Sequence, residues 1–194
     1  MQFNFDTDII LENKFVLLKP LGLDDLTPLL PVATADPTLL QYSPKPIYTA
    51  ELLTTYIEQA IALRKSQERY SFSIYYKTEG CYAGSTAFLN ISNADERLEI
   101  GATWIDKKFH GSNLNRHCKY LLLAYAFDVL QFNRVAFTTD ERNLRSRKAI
   151  EKIGGRYEGI LREHIILYDG FRRNSACYSI LKNEWHSMKP SFLN

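Results

Sequence analysis

Cysteine is scarce in this sequence of 194 residues, and it never occurs in the spacing that disulfide frameworks or zinc sites use. The three cysteines, Cys81, Cys118 and Cys177, are odd in number, far apart and outside any C-x-x-C pair. These features argue against a scaffold held by disulfides and predict no metal site. The expected compartment is the reducing cytoplasm.

Long apolar runs and an excess of one charge are also missing. The longest uncharged apolar run, Tyr120 to Phe127, is far shorter than the roughly 20 residues of a membrane-spanning helix. The first residues, 1–6, resemble no signal peptide. Twenty-four Lys and Arg against 22 Asp and Glu give a formal net charge of +2 without a dense basic block. Neither a membrane nor a nucleic acid is therefore an expected partner.

The composition that remains predicts a single folded domain over residues 1–194. Hydrophobic residues make up 45% of the chain and charged residues 24%, which suits a packed core and excludes a disordered chain. Aromatic residues reach 13%. Tyr42, Tyr48 and Phe88 could line a substrate pocket, although core packing is the commoner use of such side chains.

Hydrophobic periodicity predicts an α+β fold. A strand at 15–20 and a short helix opening at 23–26 precede a proline-rich segment, 28–46, read as short helical turns and an exposed loop. The predicted elements that follow are a helix capped by Thr49 and ending near Arg64, an antiparallel meander of strands at 70–76, 81–90 and 97–105, an apolar helix from 114 to 130, a strand at 134–139, a helix at 144–153 capped by Asn143, and strands at 156–166 and 174–181.

Strict alternation in the third strand of the meander would separate its residues into two faces. The predicted apolar face is Leu98, Ile100, Ala102 and Trp104; the other face is Glu99, Gly101 and Thr103.

Two segments carry candidate chemistry. The small, polar loop 109–116 joins a strand to a helix, so its backbone N–H groups and the positive helix end could bind a phosphate or pyrophosphate. Gly111 permits close approach, and Asn113 and Asn115 tolerate left-handed conformations. The alternative is an ordinary capped loop. In the helix at 144–153, Ser146 lies on the apolar face; its hydroxyl either faces a cleft or bonds the carbonyl of residue 142.

Together these segments resemble the GNAT acetyltransferases, in particular the branch of ribosomal-protein alanine and serine N-acetyltransferases. The resemblance runs from Glu99 to Trp185 and is looser in the N-terminal third. It rests on the order and spacing of short matches: Leu98-Glu99-Ile100-Gly101, Phe109-His110-Gly111-Ser112, Lys119-Tyr120-Leu121-Leu122-Leu123, Asn133-Arg134-Val135, the run from Thr139 to Gly154, Glu158-Gly159-Ile160-Leu161-Arg162, Asp169-Gly170 and Tyr178-Ser179-Ile180-Leu181.

The resemblance implies a GNAT fold: a mixed, mostly antiparallel twisted sheet of about seven strands, with helices on both faces and splayed strands at a cofactor cleft. It also implies acetyl-CoA as co-substrate and a primary amine as acceptor, such as a protein N-terminus or a small amine, with direct attack in a ternary complex. The expected assembly is a monomer or homodimer.

The resemblance further assigns residues to acetyl-CoA. Amides from Gly111 to Arg116 would hold the pyrophosphate, the strand 100–105 would pair with the pantetheine arm and contact the thioester oxygen, and Asn143 would bond the pantetheine. Ser146 would protonate the leaving thiolate. The implied cofactor-binding residues are Ile100, Gly101, Ala102, Trp104, His110, Gly111, Ser112, Asn113, Leu114, Asn115, Arg116, Asn143 and Ser146.

Four positions depart from the family pattern, the first being His110, where the family has Gln or Arg. Asn113 and Asn115 stand where the family has small residues, and Ile150 replaces a tyrosine that many members use as proton donor. The thiolate would then be protonated by Ser146, water or another group. These departures motivate an alternative reading, a catalytically impaired CoA-binding regulatory module. A further alternative is an interaction domain without a cofactor.

The attacking amine must lose a proton, because only the free base is nucleophilic. Glu99 is the first choice of base, directly or through water, and a solvated carboxylate is its alternative reading. Glu163 and His164 are second choices. His110 and His117 flank the loop, where a phosphate contact is expected. The basic run Arg142, Arg145, Arg147, Lys148 is interspersed with glutamates and is read as a solvated helix face that could touch the 3′-phosphate of the cofactor.

Overall fold

The computed structural model describes residues 2–192, so Met1 and the last two residues of the predicted domain lie outside it. The strands are β1 (Leu11–Glu12), β2 (Val16–Pro20), β3 (Arg69–Tyr76), β4 (Cys81–Ser92), β5 (Arg97–Ile105), β6 (Arg134–Asp140), β7 (Arg156–Ile166) and β8 (Arg172–Leu181). The α-helices are α1 (Leu26–Thr34), α2 (Ala50–Lys65), α3 (Leu114–Ala124), α4 (Leu144–Lys152) and α5 (Lys182–Met188).

The eight strands form one sheet in the order β1-β2-β3-β4-β5-β6-β8-β7. Every neighbouring pair is antiparallel except β5 and β6. This mixed, mostly antiparallel sheet and the β3-β4-β5 meander confirm the predicted fold class. Two elements were not predicted. The edge strand β1 has two residues, and α5 follows β8 directly with Glu184 accepting a hydrogen bond from the amide of Leu181.

Beyond their first three residue pairs, β5 and β6 separate. Arg97 to Glu99 pair with Arg134 to Ala136, and the pairing stops there. Strand β6 continues beside β8 as far as the pair Asp140–Ser175. Strand β5 continues beside β4 as far as the pair Gly84–Ile105. The sheet is therefore split into two wings that meet at Glu99.

A β-bulge in β5 corrects the predicted alternation of that strand. Between the pairs Ser85–Trp104 and Ala87–Gly101, the single β4 residue Thr86 lies opposite two residues of β5, and the first of these, Ala102, has φ +46°. One extra residue turns the following side chains to the opposite faces. Leu98 and Ile100 therefore pack in the core beside α3, whereas Trp104 packs in the second core with Tyr56 of α2.

Each face of the sheet has its own apolar core. Helices α1 and α2 cover one face, and α3, α4 and α5 cover the other. The predicted cap of α2 is confirmed, since Thr49 Oγ1 accepts from the amide of Leu52 at 3.2 Å. The apolar helix ends earlier as α-helix than predicted and continues as a π-helical turn over Tyr125–Val129.

Residues 28–34, at the start of the segment read as short helical turns and an exposed loop, form most of one continuous helix, α1. Pro28 lies in the first turn of α1, where an amide N–H has no helical acceptor. Pro31 lies inside the helix and lacks one bond, but Leu29, Val32 and Ala33 bury the same helix against the sheet. Burial of that face outweighs the local cost of the proline.

Gly84 should be the position of the bulge region least tolerant of a side chain. It has φ +151°, and an added Cβ would lie 2.0 Å from the carbonyl oxygen of Trp104. We expect Gly84→Ala to lower the free energy of unfolding by about 3 kcal/mol or more in urea titrations.

Ala102→Gly is the matched control. The glycine relieves the strain of a left-handed alanine in the native state, but it also raises the conformational entropy of the unfolded chain. These effects oppose each other, so we expect a change below about 1 kcal/mol. Equal losses in both variants would show that the close approach of β4 to β5 does not constrain the fold.

Candidate functional site

A cleft of about 920 Å³ opens where β5 and β6 separate. One side, here the α3 half, is lined by the segment from Phe109 to Lys119 and by α4. The other side, the α2 half, is lined by residues 39–45, by α2, and by Arg69, His164 and Arg173. Residues 99–105 of β5 line the same cleft, so both halves are reached from the point where the strands part.

The cleft is strongly positive, although the whole chain has a formal net charge of only +2. Glu99 is the single carboxylate among the described residues that line it. The lining contains seven lysines and arginines: Lys45, Arg69, Arg116, Lys119, Arg145, Lys152 and Arg173. Such an excess of positive charge in a concave site favours anionic ligands.

The loop before α3 exposes backbone donors. Gly111 adopts φ +84°, with open space around its Cα, whereas Asn113 has φ −77° and uses no left-handed conformation. Within residues 2–192, the backbone N–H groups of Gly111 and Asn113 donate to no protein atom. Ser112 is occupied locally, because its Oγ donates to the carbonyl of Phe109 at 2.7 Å. With the N-terminus of α3, these amides can bind an anion.

Asn115 and Lys119 lie one helical turn apart on the cleft side of α3. Asn115 Oδ1 is buried and has no hydrogen-bond partner among the described residues. Lys119 is only 6% exposed and donates to Thr103 Oγ1, on the bulged strand, at 2.8 Å. Burial lowers the pKa of Lys119 from 10.5 to about 8, and no carboxylate in the described chain pairs with it. The cation therefore stands uncompensated beside the bulge.

His110 has both ring nitrogens occupied by protein groups. Arg145 Nη1 donates to Nδ1 at 2.8 Å, so Nε2 carries the proton and donates to the carbonyl of Ile105 at 3.1 Å. Burial and the charge of Arg145 lower the pKa of His110, which is neutral at pH 7. The ring therefore holds Arg145 at the cleft, and the expected phosphate contact by His110 itself does not fit.

Helix α4 brings three predicted residues to the cleft. Asn143 Oδ1 accepts from the amide of Ser146 at 3.1 Å, which confirms the predicted cap and leaves the Nδ2 group without a partner in the described chain. Ser146 Oγ makes no hydrogen bond to residues 2–192, so the alternative bond to the carbonyl of residue 142 is not formed. Ile150 is 7% exposed and lines the cleft, where it offers no proton.

Glu99 stands at the last residue pair before β5 and β6 part. Its Oε2 accepts from Asn90 Nδ2 at 2.8 Å. Asn90 is itself at an irregularity of β4, with φ +49°. An ionised carboxylate held by one neutral donor at this vertex can accept a proton from a cationic amine.

A network on β8 fixes the far wall of the α2 half. Arg173 Nε and Nη2 both donate to Ser175 Oγ, at 3.0 and 2.9 Å. Because this oxygen already accepts twice, its own proton is left to donate to His164 Nδ1, 3.1 Å away. His164 thus has Nδ1 occupied. Glu163, the other second-choice base, does not line the cleft.

Most of the predicted site residues line this cleft, and the exceptions have identifiable causes. Leu114 is fully buried in the core beneath the loop. Because of the bulge, the Trp104 side chain lines the α2 half, on the opposite face of the sheet from Ile100. Phe88 and Tyr48 do not line the cleft, and Phe88 is a buried core residue. The ring of His117 also lies outside the cleft lining and stacks on Phe15.

The basic run lies largely at the surface, as predicted, since Arg142, Arg145 and Lys148 are exposed, but its three arginines also bind protein groups. Arg142 forms a bidentate pair with Asp140, at 2.9 and 2.6 Å. Arg147 donates to Tyr178 Oη at 2.9 Å, and Arg145 binds His110. Lys148 is exposed.

Sequence reasoning missed Lys119, Arg69 and Arg173. Lys119 lies between Cys118 and the apolar run from Tyr120 to Phe127, and a lysine at this point of an apolar helix was a detectable signal. Arg173 lies just before the predicted start of the last strand, and Arg69 just before the first strand of the meander. Nothing local marks either arginine as facing a cleft.

Comparison with known proteins agrees with this architecture. No helix among residues 2–192 has the length and apolar character to cross a membrane. Residues 16–156 match the family model described as Acetyltransferase (GNAT) domain. The "Putative ribosomal N-acetyltransferase YdaF" of Bacillus subtilis (strain 168) is 33% identical over 111 residues, which cover 57% of this chain and 60% of that protein.

Solved structures extend the likeness to almost the whole chain. A GCN5-related N-acetyltransferase from Brucella melitensis has a TM-score of 0.88 at 26% identity, covering 95% of this chain and 84% of that one. The ribosomal-protein-S5-alanine acetyltransferase from Vibrio fischeri shares the fold, with a TM-score of 0.73 at 18% identity, covering 92% of this chain and 99% of that one. The chain belongs to the GNAT family of acetyltransferases.

Proposed function

We propose that this protein transfers an acetyl group from acetyl-CoA to a primary amine by direct attack in a ternary complex. The family assignment makes it an N-acetyltransferase, and members of the family generally use acetyl-CoA. The observation that carries the proposal is a cleft in which a positive α3 half and one carboxylate, Glu99, meet at the parting of two strands.

The α3 half fits coenzyme A, which is anionic and rich in amides. The amides of Gly111 and Asn113, which have no partner among residues 2–192, would hold the pyrophosphate at the start of α3. Asn115 Oδ1 and Asn143 Nδ2 would bond the pantetheine arm. Ile100, Gly101 and Ala102 would lie alongside it, and Arg116 and Arg145 would add positive charge near the phosphates.

Acetyl-CoA, when bound, supplies an acetyl group activated as a thioester. The protein's part is proton handling. Glu99 would take the proton from the amine, directly or through water, because it is the one carboxylate lining the cleft. Ser146 would supply a proton on the α3 side, where Ile150 cannot. Lys119 would stabilise negative charge beside the bulge.

The acceptor class proposed is a peptide or protein N-terminal α-amine, or a small amine. The name of YdaF, a ribosomal N-acetyltransferase of Bacillus subtilis, supports the first of these. The segment 39–45 lines the α2 half as an irregular loop. Such loops commonly set specificity in enzymes that share a scaffold.

Glu99→Gln tests the base. It keeps the shape and the bond to Asn90 while removing the proton acceptor, so we expect kcat to fall by about 10²-fold or more. The measurement is thiol release with a panel of amines and N-terminal peptides. Acetyl-CoA affinity by calorimetry should stay within about twofold, and Glu79→Gln, on an exposed turn, should change nothing. A loss in kcat below about tenfold would remove Glu99 from this role.

Ser146→Ala tests proton supply to the thiolate. We expect kcat to fall by about tenfold with an unchanged unfolding midpoint, since the hydroxyl makes no hydrogen bond in the described chain. Ser187→Ala, outside the cleft, is the control. An unaltered rate would assign the proton to water or to Lys119.

Lys119→Met tests whether a buried cation is retained for the cofactor. Because the pKa of Lys119 falls to about 8, the unfolded chain binds more protons than the native protein between about pH 8 and 10. Stability of the unaltered protein should therefore rise with pH in that window. The Lys119→Met variant should lack this rise and be more stable at pH 7 by about 1–4 kcal/mol.

The same variant should bind acetyl-CoA at least about fivefold more weakly in calorimetry. Lys148→Met, exposed on α4, should change neither property. Unchanged affinity in Lys119→Met would make the lysine a structural residue. If acetyl-CoA binds and no amine in the panel is turned over, the protein is a CoA-binding regulatory module instead, and if acetyl-CoA does not bind, it is an interaction domain without a cofactor.

A further inference from the structure

The α2 half of the cleft contains two arginines that no carboxylate neutralises. Neither Arg69 nor Arg173 forms an ion pair within residues 2–192. Most arginines of a folded domain are exposed or paired, because an unpaired buried charge is costly. Two unpaired arginines on one side of a cleft therefore call for an anionic partner.

Arg173 is the better defined of the two. It is 8% exposed, and its guanidinium is fixed by neutral acceptors alone: Ser175 Oγ and the carbonyl of Tyr42, the latter at 3.1 Å from Nη1. Desolvation by burial lowers the pKa of this guanidinium, opposed by Asp140 and Glu99. The side chain is therefore held in place before any ligand binds.

The two nearby carboxylates do not serve as its partner. Asp140 is fully buried, and its oxygens accept the two bonds from the Arg142 guanidinium. Glu99 accepts from Asn90 and makes no ion pair with Arg173. Glu99 acts on Arg173 only at longer range.

Two further donors line the same half. Arg69 donates Nε to Ser71 Oγ at 2.8 Å and Nη2 to Tyr56 Oη at 2.6 Å, again to neutral groups. Trp104 is 3% exposed, and its indole Nε1–H has no acceptor among the described residues. The α2 half thus presents donors in excess of acceptors, which suits a carboxylate.

We propose that the acceptor carries a carboxylate close to its amine, bound by Arg173 with support from Arg69, while the amine points to Glu99. This inference rests on the proposed function. The carboxylate can belong to a free amino acid or to the acidic side chain of an N-terminal residue.

Matched acceptors with and without a carboxylate test the proposal and distinguish these sources. One arm compares glycine with glycinamide, with kcat/KM expressed per free amine, because the neighbouring carboxylate raises the pKa of the glycine amine. The other compares hexapeptides beginning Asp-Ala with those beginning Asn-Ala. We expect kcat/KM to favour the carboxylate form by at least about tenfold in one arm, and that arm identifies the source. Equal kcat/KM within both pairs would overturn the proposal.

Substitutions of Arg173 test whether this residue causes the preference for acceptors that carry a carboxylate. Arg173→Gln should abolish it mainly through KM, whereas the amide acceptors should change less than about threefold. Arg173→Lys keeps the charge and should retain part of the preference. Arg172→Gln is the matched control, because Arg172 is exposed on the same strand and does not line the cleft. Circular dichroism and unfolding midpoints verify that each variant folds. Equal losses for charged and uncharged acceptors would make Arg173 structural.

A binding measurement tests the carboxylate site independently of acetyl transfer. Calorimetry of both acceptor pairs with CoA-loaded protein should show the carboxylate member of one pair binding at least about fivefold more tightly than its uncharged counterpart, and only with Arg173 present. If no acceptor is acetylated but this difference appears, the proposed function fails while the carboxylate site stands. No difference in binding or turnover overturns the carboxylate site.

Discussion

The separation of β5 and β6 after Glu99 is the constraint on which the rest of the molecule depends. Two parallel strands that pair over three residues leave their later backbone groups facing a gap. Buried backbone donors and acceptors require partners, so a gap of this kind persists only where solvent or a ligand satisfies them. Each wing is held by pairing on its other side, β5 with β4 and β6 with β8. The cleft is thus a product of sheet topology.

The bulge at Ala102 determines what the cleft presents to each half. The extra residue places Thr103 beside Lys119 and turns Trp104 to the face of α2. Without it, strict alternation would put Trp104 under α3 with Ile100, and the α2 half would lose an apolar wall and an indole donor. Gly84 allows the bulged strand to approach β4 closely. One local irregularity therefore gives the two halves different chemistry.

The features that could be predicted are those determined by residues close together in the sequence. The meander, the caps at Thr49 and Asn143 and the loop before α3 follow from local periodicity and from side chains that bond nearby amides. The bulge could not be predicted, because its cause is the register of β4 against β5. The site residues Arg69 and Arg173 lie on strands far apart in sequence, and only the completed sheet brings both to one cleft. Strand β1, at two residues, carries too little pattern to detect.

The charge distribution follows the same distinction between local and long-range causes. A net charge of +2 describes a balanced surface, yet most of the carboxylates lie away from the cleft and seven cations line it. Lys119 and Arg173 are buried and form no ion pair within residues 2–192, so each costs the folded state free energy that an apolar side chain would not. A fold that keeps such groups at two ends of one cleft gains when anions bind at both, because binding then offsets desolvation already incurred. Under the proposals above, two anionic ligands, one on each side of Glu99, would offset the cost of both cations.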